Sequence, residues 1–503
     1  MNELLRPTIR RQTKLCMRPL LVLMQKGGAD SLTKITFLGG IDEIGGNCFM
    51  VEDKDTRLLL DFGMRYSLKQ KYFEEYLKPR SASGIEDVLT LGLIPSRLEF
   101  YRADLLRMMG KKAPPEPYVD GLLLSHIHYD HSANISYLDE RVPIYSSNIT
   151  ELYAKTLIET GTRNIETEVY NFKPRPLLNQ GAPPVARTFK TFDPRAEFRV
   201  GSITVRSFPV DHSVAGATSY LLECSDSSLV YTGDLRLHGP FGSQTLQSLE
   251  RMASQEPDLF LCEGTRIDDN DRSSEADVKK RTLEVARKCK QLIVADFAPR
   301  DVFRLSTFHQ IAKELGRKLL ITKQDAYLMR ELRKTPSLQG LLPSIDDDSI
   351  LIYVDRKKSG TYRSGDYGTW EREFLTLSNS VRSDYVHDHQ GSIIACMGFF
   401  DINELIDIKP KKGSIYIESI SEPHNEEQEI DVDRLNNWLD FFRLRKFHFH
   451  SSGHAGANDL RSMAQTVKPK RLIPIHTEKP RLFTDIHQNV TLVQLGDTID
   501  LAS

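Results

Sequence analysis

The chain has 503 residues, with 67 Lys+Arg against 69 Asp+Glu, and therefore a formal charge of −2 at pH 7. That balance excludes a protein that coats nucleic acid through a net positive charge, and 40% hydrophobic residues argue against a disordered chain. The length favours two or more domains, because single cores stop growing at roughly 250–300 residues. The six cysteines contain no C-x-x-C pair, which argues against a disulfide scaffold or zinc ribbon and favours a reducing, cytoplasmic setting.

The N-terminus is predicted to be a basic extension. Residues 1–31 carry six basic side chains against two acidic ones, and the apolar run at 19–24 is too short for a signal-peptide core. No window holds 18 or more apolar residues, so we expect no membrane partner.

Short strands dominate the first half of the fold. Strands at 35–38, 48–51 and 58–61, separated by a glycine-rich stretch and polar turns, predict an antiparallel sheet. Residues 70–118 have mixed polarity and helix-like pieces, and they predict an insertion over that sheet. Further strands are predicted at 121–125, 203–207, 219–223, 229–232 and 259–262.

The pattern changes after about residue 270. Amphipathic helices now alternate with apolar strands, as is typical of a parallel α/β layer. The predicted helices are 275–290, 304–315 and 432–444, and the strands are 291–295, 318–322, 349–353, 392–396 and 414–418. The last 55 or so residues return to short strands and turns. We therefore predict a domain at 270–446 inserted into a first domain made of 32–269 and 447–503.

A cluster of metal-binding residue types directly follows the buried strand at 121–125. His126 and His128 are two apart in an extended segment, so both side chains point the same way and can bind one cation. Asp130 and His131 follow where the chain turns toward a helix, and they can face a second cation. Imidazole and carboxylate together suit Zn²⁺ or a similar divalent metal.

Three more candidate ligands lie at the ends of predicted strands: His212, Asp234 and His476. Each is ambiguous by itself, because a single histidine is more often a satisfied polar residue than a ligand. Beside the first cluster, all three become credible ligands.

These residues carry a family resemblance. The chain resembles the metallo-β-lactamase-fold nucleases of the β-CASP group, and within it the ribonuclease J family. The similar stretches run in the expected order and are residues 38–47, 60–63, 126–131, 211–213, 232–234, 262–265, 452–454 and 475–476. The resemblance implies an α/β architecture, in which a metallo-β-lactamase αββα sandwich carries an inserted β-CASP parallel α/β domain.

The resemblance also implies a role for each candidate. His126, His128 and His212 would bind one zinc, while Asp130, His131 and His476 would bind the other. Asp234 would bridge the two ions, and Asp61 would orient a ligand from behind. The implied cofactors are two Zn²⁺, with Mn²⁺ or Mg²⁺ as alternatives.

Other matching residues bear on catalysis and substrate. Glu263 and His454 match an acid and a histidine that protonate the leaving oxygen, and Asp130 and Asp234 join them as implied catalytic residues. A histidine at the position of His476 resembles the RNA-cleaving members of the group, whereas the DNA-repair members carry an apolar residue there.

Three residues are candidates for binding substrate phosphates. His450 and Ser452 lie in a stretch that holds phosphates in ribonuclease J. Arg300 stands where the family has a small-polar run that grips the 5′ phosphate; Pro299 offers no backbone donor, so Arg300 would supply a charged one.

The leading hypothesis is a zinc-dependent ribonuclease that acts as a 5′→3′ exonuclease, with endonuclease cutting as a second mode, in RNA processing or decay. Its expected partner is single-stranded RNA, and a homodimer is left open. A metal-dependent hydrolase of a non-nucleic substrate is one alternative, which the inserted domain disfavours. A catalytically silent RNA-binding subunit is another, which the complete ligand set disfavours.

Overall fold

The computed structural model describes residues 33–74, 76–162, 164–175, 183–421 and 426–501. The basic extension predicted at 1–31 lies outside the described residues. Among the helices of the described part, none combines the length and apolar character that a membrane span needs.

Twenty-two strands are described. They are β1 (Thr33–Gly39), β2 (Cys48–Asp53), β3 (Thr56–Leu60), β4 (Gly121–Leu123), β5 (Ile144–Ser147), β6 (Asn171–Phe172), β7 (Val185–Ala186), β8 (Phe189–Phe192), β9 (Glu197–Val200), β10 (Ile203–Pro209), β11 (Thr218–Glu223), β12 (Ser228–Tyr231), β13 (Leu259–Glu263), β14 (Ile293–Asp296), β15 (Lys318–Ile321), β16 (Ile350–Tyr353), β17 (Ser380–Val381), β18 (Ile393–Cys396), β19 (Ile415–Glu418), β20 (Arg445–His448), β21 (Arg471–Ile475) and β22 (Thr498–Asp500).

Fourteen α-helices accompany them. They are α1 (Tyr66–Gln70), α2 (Glu86–Thr90), α3 (Ala103–Met108), α4 (Tyr129–Ser132), α5 (Asn148–Thr160), α6 (Gly242–Ala253), α7 (Glu275–Ala286), α8 (Val302–Glu314), α9 (Lys323–Leu332), α10 (Pro336–Gln339), α11 (Ser383–Asp388), α12 (Leu405–Ile408), α13 (Glu426–Phe442) and α14 (Ala457–Val467).

Two sheets face each other across one apolar core. The first has the order β22-β1-β2-β3-β4-β5-β8, and the second β21-β13-β12-β11-β10-β9. Phe37 and Phe49 of the first sheet pack in one cluster with Tyr220 and Ile473 of the second. Helices cover the outer faces, with α5 on the first sheet and α6 and α14 on the second. This four-layer arrangement confirms the predicted αββα sandwich.

The first sheet is mixed, so the predicted antiparallel sheet is right only in part. Strands β1, β2 and β3 pair antiparallel through short turns. Strands β3, β4, β5 and β8 pair parallel. Parallel neighbours need a long connection, and residues 61–120, residues 124–143 and the segment containing α5 provide the three connections.

The predicted insertion at 70–118 covers the outer face of the first sheet. Its helices α2 and α3 bury Val88, Leu105 and Leu106 in the cluster that also contains Leu59 and Leu122 of the sheet. The insertion therefore extends the apolar core on the outer side of the first sheet.

The third sheet, of order β17-β16-β15-β18-β14-β19-β20, is parallel throughout. Apolar clusters lie on both of its faces, and its inner strands β14, β15, β16, β18 and β19 are accordingly rich in hydrophobic residues. It confirms the predicted parallel α/β domain. The chain enters this domain after β13 and leaves it after β20, and the predicted boundary at residue 446 falls within β20.

Candidate metal centre

Seven side chains from four strand ends converge at one edge of the sandwich. His126 and His128 follow β4, and Asp130 and His131 lie on the short helix α4. The remaining three follow the ends of β10, β12 and β21, and they are His212, Asp234 and His476. Because β12, β13 and β21 run parallel, their carboxyl ends deliver residues to the same edge.

Three imidazoles form the first donor group. The Nδ1 atom of His128 lies 3.1 Å from Nε2 of His126 and 3.1 Å from Nε2 of His212. Ligand atoms about 2.0–2.1 Å from a tetrahedral zinc are about 3.3 Å apart, so this spacing fits a shared cation. The structure thus brings together the three residues expected to bind one metal.

Two carboxylates and two imidazoles form the second donor group. The Nε2 atom of His476 lies 3.2 Å from Oδ2 of Asp130, and Nε2 of His131 lies 3.1 Å from Oδ2 of Asp234. All four residues offer one ligand atom within 4.8 Å of the others. This is the second predicted set, joined by Asp234.

Asp234 lies between the two groups. Its Oδ2 atom is 3.8 Å from Nε2 of His126, 3.9 Å from Nε2 of His212 and 3.1 Å from Nε2 of His131. Its Oδ1 atom is buried and has no hydrogen-bond partner among the described residues. A buried carboxylate oxygen without a donor is costly, and a cation on that side would remove the cost.

Burial sets the protonation of the first group. It lowers the pKa of His128 to about 4, the opposing pull of Asp130 and Asp234 being weaker. Burial also places the pKa values of His126 and His212 well below their usual range, and the neighbouring histidines lower them further. All three imidazoles are therefore neutral at pH 7 and offer lone pairs, as a metal requires. The donor set fits a divalent transition metal.

Asp61 fixes the orientation of His131. Its Oδ2 atom accepts a hydrogen bond of 2.7 Å from Nδ1 of His131, one from the Ser125 hydroxyl and one from the Tyr231 hydroxyl. With its proton on Nδ1, His131 presents the lone pair of Nε2 to the second donor group. This is the geometry expected for a residue behind the ligands.

Three more imidazoles are held in the same way by residues that the sequence analysis did not single out for this task. Nδ1 of His126 donates to the Ser125 hydroxyl at 3.0 Å, and Nδ1 of His212 donates to the Gly453 carbonyl at 2.6 Å. Nδ1 of His476 donates to the Thr265 hydroxyl at 2.8 Å. Ser125 directly precedes the histidine motif and Thr265 lies two residues after Glu263, yet a single hydroxyl carries no spacing pattern.

The glycine-rich stretch 39–46 forms one wall of the site. A Cβ atom on Gly45 would lie 2.8 Å from Cβ of Asp130, and the backbone there has φ +85°. Asp61 and His476 also have left-handed backbones, with φ of 55° and 52°. Such conformations cost about 1–3 kcal/mol in non-glycine residues and concentrate at functional sites.

Glu263 and His454 lie beside the second donor group. Nδ1 of His454 is 3.4 Å from Oε1 of Glu263 and 3.9 Å from Oδ2 of Asp234. Glu263 is fully buried at the end of β13, while the His454 side chain is 21% exposed. Burial lowers the pKa of His454, but the carboxylates of Glu263 and Asp234 outweigh it, and the pKa lies above its usual value.

The three predicted phosphate-binding residues have different surroundings. Ser452 accepts a hydrogen bond of 3.2 Å from the backbone of His454, two residues along the same loop. His450 turns toward the third sheet, where its Nδ1 donates to the Ser419 carbonyl. The guanidinium of Arg300 lies 5.1 Å above the ring of Tyr129. In the sequence, Tyr129 stands between the ligand candidates His128 and Asp130.

Comparisons with known proteins agree with this geometry. Residues 99–295 match the beta-lactamase superfamily domain, and residues 442–483 match the Zn-dependent metallo-hydrolase RNA specificity domain. Ribonuclease J of Pyrococcus abyssi is 23% identical over 463 residues, covering 89% of this chain and 90% of that protein. Ribonuclease J of Mycoplasma genitalium is 22% identical over 456 residues, covering 89% of this chain and 68% of that protein.

A solved structure shares the fold. The crystal structure of a protein of unknown function from Enterococcus faecalis V583 has a TM-score of 0.69 at 22% identity, covering 93% of this chain and 99% of that one. In its sandwich, its inserted parallel sheet and its donor set, the chain resembles the metallo-β-lactamase-fold nucleases of the β-CASP group. Within that group the chain resembles ribonuclease J, over about nine tenths of its length. The predicted resemblance is confirmed.

Proposed function

We propose that the protein is a zinc-dependent ribonuclease that hydrolyses phosphodiester bonds of single-stranded RNA during RNA processing or decay. The observation that carries this proposal is the complete donor set with Glu263 and His454 beside it. The ribonuclease J relatives and the match to the RNA specificity domain, whose range includes His454 and His476, support RNA as the substrate.

Two zinc ions in this donor set would supply Lewis-acid polarisation of the phosphodiester and a nucleophile at neutral pH. His126, His128 and His212 would hold one ion; Asp130, His131 and His476 would hold the other, and Asp234 would touch both. The imidazole–acceptor pairs described above keep the lone pairs aimed inward before any metal arrives.

His454 is the general acid of this proposal. Its Nδ1 atom faces Glu263 and Asp234, so the proton on Nε2 is the one available to the leaving 3′ oxygen. The carboxylates of Glu263 and Asp234 raise the pKa of His454 and so favour its protonated form. Among its described contacts, Glu263 has no cationic partner other than this ring. In this proposal, His454 and Glu263 therefore serve proton donation to the leaving oxygen, while the other seven side chains bind the metal ions.

Arg300, His450 and Ser452 are proposed to bind the phosphates on either side of the scissile bond. Arg300 has a left-handed backbone, with φ of 76°, and its carbonyl accepts from the Tyr153 hydroxyl at 3.2 Å. Its guanidinium lies over the ring of Tyr129, next to the ligand candidates His128 and Asp130, and there a 5′ phosphate would pair with it. This supports 5′→3′ exonuclease action as the main mode, with endonuclease cutting as a second.

The test uses RNAs labelled at either end that carry a 5′ monophosphate, triphosphate or hydroxyl. The zinc-loaded chain should release mononucleotides from 5′-monophosphate RNA, and Asp130→Ala and His131→Ala should abolish the release. His389→Ala, which alters an exposed histidine stacked on Tyr385, is the matched control and should cut normally. Cleavage that survives both site substitutions, or zinc binding without any cleavage, would refute the proposal.

A further inference from the structure

The loop at residues 449–454 is the return connection from the inserted domain to the sandwich. It begins where β20 ends in the third sheet, and it leads to α14 on the second sheet. His454 lies at the end of this loop, and the carbonyl that orients His212 belongs to its neighbour Gly453. The position of the general acid therefore depends on how this loop is held.

Side chains from outside the loop donate hydrogen bonds to the carbonyl groups of two successive loop residues, Ser451 and Ser452. The Ser451 carbonyl accepts from Nη2 of Arg304 at 3.1 Å. The Ser452 carbonyl accepts from Nη1 of Arg236 at 3.0 Å and from Nε2 of His238 at 3.0 Å. These bonds fix the backbone immediately before Gly453 and His454.

The two arginines come from different domains. Arg304 lies on α8 of the inserted domain, and Arg236 follows β12 of the sandwich. Both guanidinium groups are fully buried. Each thus reaches the loop through the protein interior, where a hydrogen bond to a charged donor is strong and solvent does not compete.

Glu275 joins the two arginines. It pairs with Arg304 through two bonds, of 2.9 Å to Nε and 2.8 Å to Nη2, and its Oε1 atom lies 3.8 Å from Nη1 of Arg236. Glu275 is the first residue of α7, where the chain enters the inserted domain. Asp211, beside the ligand His212, completes the network through a bond of 3.0 Å to Arg236.

We propose that Arg304 and Arg236 are positioning residues that hold the 449–454 loop so that His454 meets the leaving oxygen. This inference rests on the proposed function, because it assigns the network an effect on the general acid of that reaction. The network connects Glu275, where the chain enters the inserted domain, with the loop 449–454, where the chain leaves it. It also includes Asp211, the neighbour of the proposed metal ligand His212. It thereby makes the placement of His454 depend on how the two domains are docked.

The size of the effect follows from the precision that proton transfer needs. A general acid contributes about 10²–10⁴-fold, and a misplacement of about 1 Å can cost about 100-fold. Lysine in place of Arg304 keeps the charge but cannot bind Glu275 with two parallel bonds and also reach the Ser451 carbonyl. Arg304→Lys should therefore lower kcat on RNA by about 10- to 100-fold, with KM and zinc content close to those of the wild type.

A double-mutant cycle separates positioning from a general loss of structure. Arg304→Lys is measured in the wild-type chain and in His454→Ala, with enzyme in excess over labelled RNA. If the arginine acts through His454, the substitution costs less than about 3-fold once the histidine is gone. A change that damages the metal centre or the fold would cost the same factor in both backgrounds, and that result would overturn the inference.

Arg317→Lys is the matched control. Arg317 is also a mostly buried arginine of the inserted domain that donates to backbone carbonyls, at 2.7 Å to Gln291 and 3.2 Å to Ile393, but it lies outside the network. Its kcat should equal that of the wild type. An equal fall in both lysine variants would assign the effect to lost stability and overturn the inference.

Two further outcomes are decisive. If Arg304→Lys loses zinc or melts below the assay temperature, Glu275→Gln takes its place in the same cycle, because it removes only a charge at nearly constant volume. If the variant that is used, Arg304→Lys or Glu275→Gln, keeps the kcat of the wild type, the positioning role is overturned while the proposed function stands. A wild-type chain that binds zinc and leaves RNA intact would refute the proposed function, and this inference with it.

Discussion

The metal centre and the carboxyl edge of the third sheet both gather ionisable side chains, but they balance charge differently. At the sheet edge, Lys323 contacts Asp355 and lies 3.4 Å from Glu371, while Lys357 lies 2.8 Å from Glu371. At the metal centre, two aspartates and five histidines face one another, and no ion pair of the described residues joins them to a lysine or arginine.

The difference separates a structural cluster from a binding site. A carboxylate that already has an ammonium partner needs nothing more, even though burial lowers the pKa of Lys323 to about 8. The buried Oδ1 atom of Asp234 and the neutral imidazoles beside it have no such partner in the described chain. We propose that bound cations supply the charge compensation that no lysine or arginine of the described chain provides there. The predictions that follow test this contrast.

The largest effect is expected from Asp234→Asn. Both donor groups would lose their shared carboxylate, so zinc content should fall and RNA cleavage should drop by about 10³-fold or more. Asp139→Asn changes a buried aspartate that is paired with Arg141 and belongs to neither donor group, and it should retain zinc. Equal zinc content in the two variants, measured by mass spectrometry of the metal, would contradict the account.

Thr265→Val should weaken zinc binding by about 10- to 100-fold, because it removes the acceptor that orients His476 while keeping the side-chain shape. A competition titration with a chelator measures the affinity. Thr282→Val is the matched control, since this fully buried hydroxyl has no hydrogen-bond partner among the described residues. An unchanged affinity in Thr265→Val would show that His476 is not held through this bond.

Lys323→Met should lower stability without affecting zinc binding or catalysis, in contrast to the substitutions at the metal centre. It removes the buried one of the two lysines that face Asp355 and Glu371 and leaves Lys357, so the free energy of unfolding should fall by about 1–2 kcal/mol. Zinc content and kcat of the folded protein should stay at wild-type values, because the sheet edge contributes nothing to the centre. Urea unfolding measures the stability, and an RNA assay with metal analysis measures kcat and zinc content. Loss of zinc in this variant would contradict the distinction between the sheet edge and the metal centre.

The smallest effect concerns pH. Burial, reinforced by Glu418, raises the pKa of Asp296 to about 7, whereas an unfolded aspartate titrates near 3.9. Between about pH 4 and 7 the folded state therefore holds a proton that the unfolded state has lost, so stability falls as pH rises through this window and then levels off.

Asp296→Asn should remove that dependence. The melting temperature of the variant should exceed that of the wild type by a few degrees at pH 8 and by little at pH 5. Asparagine keeps an oxygen for the Tyr416 hydroxyl, which donates to this carboxylate at 2.6 Å in the wild type. Parallel melting curves for the two proteins across this range would argue against a raised pKa.

Local pattern made much of this structure predictable. The histidine motif follows β4 and runs into the short helix α4, so its spacing indicates which side chains share a face. The buried strands of the third sheet are continuous apolar runs, and the predicted strand 318–322 differs from β15 by one residue.

The remainder depends on contacts between distant segments. Ser125 and Thr265 are single hydroxyls whose partners are fixed only when several strand ends meet. The parallel pairing of β3 with β4 depends on a long connection of low regularity. Arg236 and Arg304 are ordinary arginines in the sequence, and their common target becomes visible only when the two domains are docked.

One measurement tests the central claim most directly. A crystal of the zinc-loaded protein, measured at the zinc absorption edge, should show two anomalous peaks on either side of Asp234. One should lie among His126, His128 and His212, and the other among Asp130, His131 and His476. No peak at this edge of the sandwich, or zinc bound only elsewhere, would contradict the account.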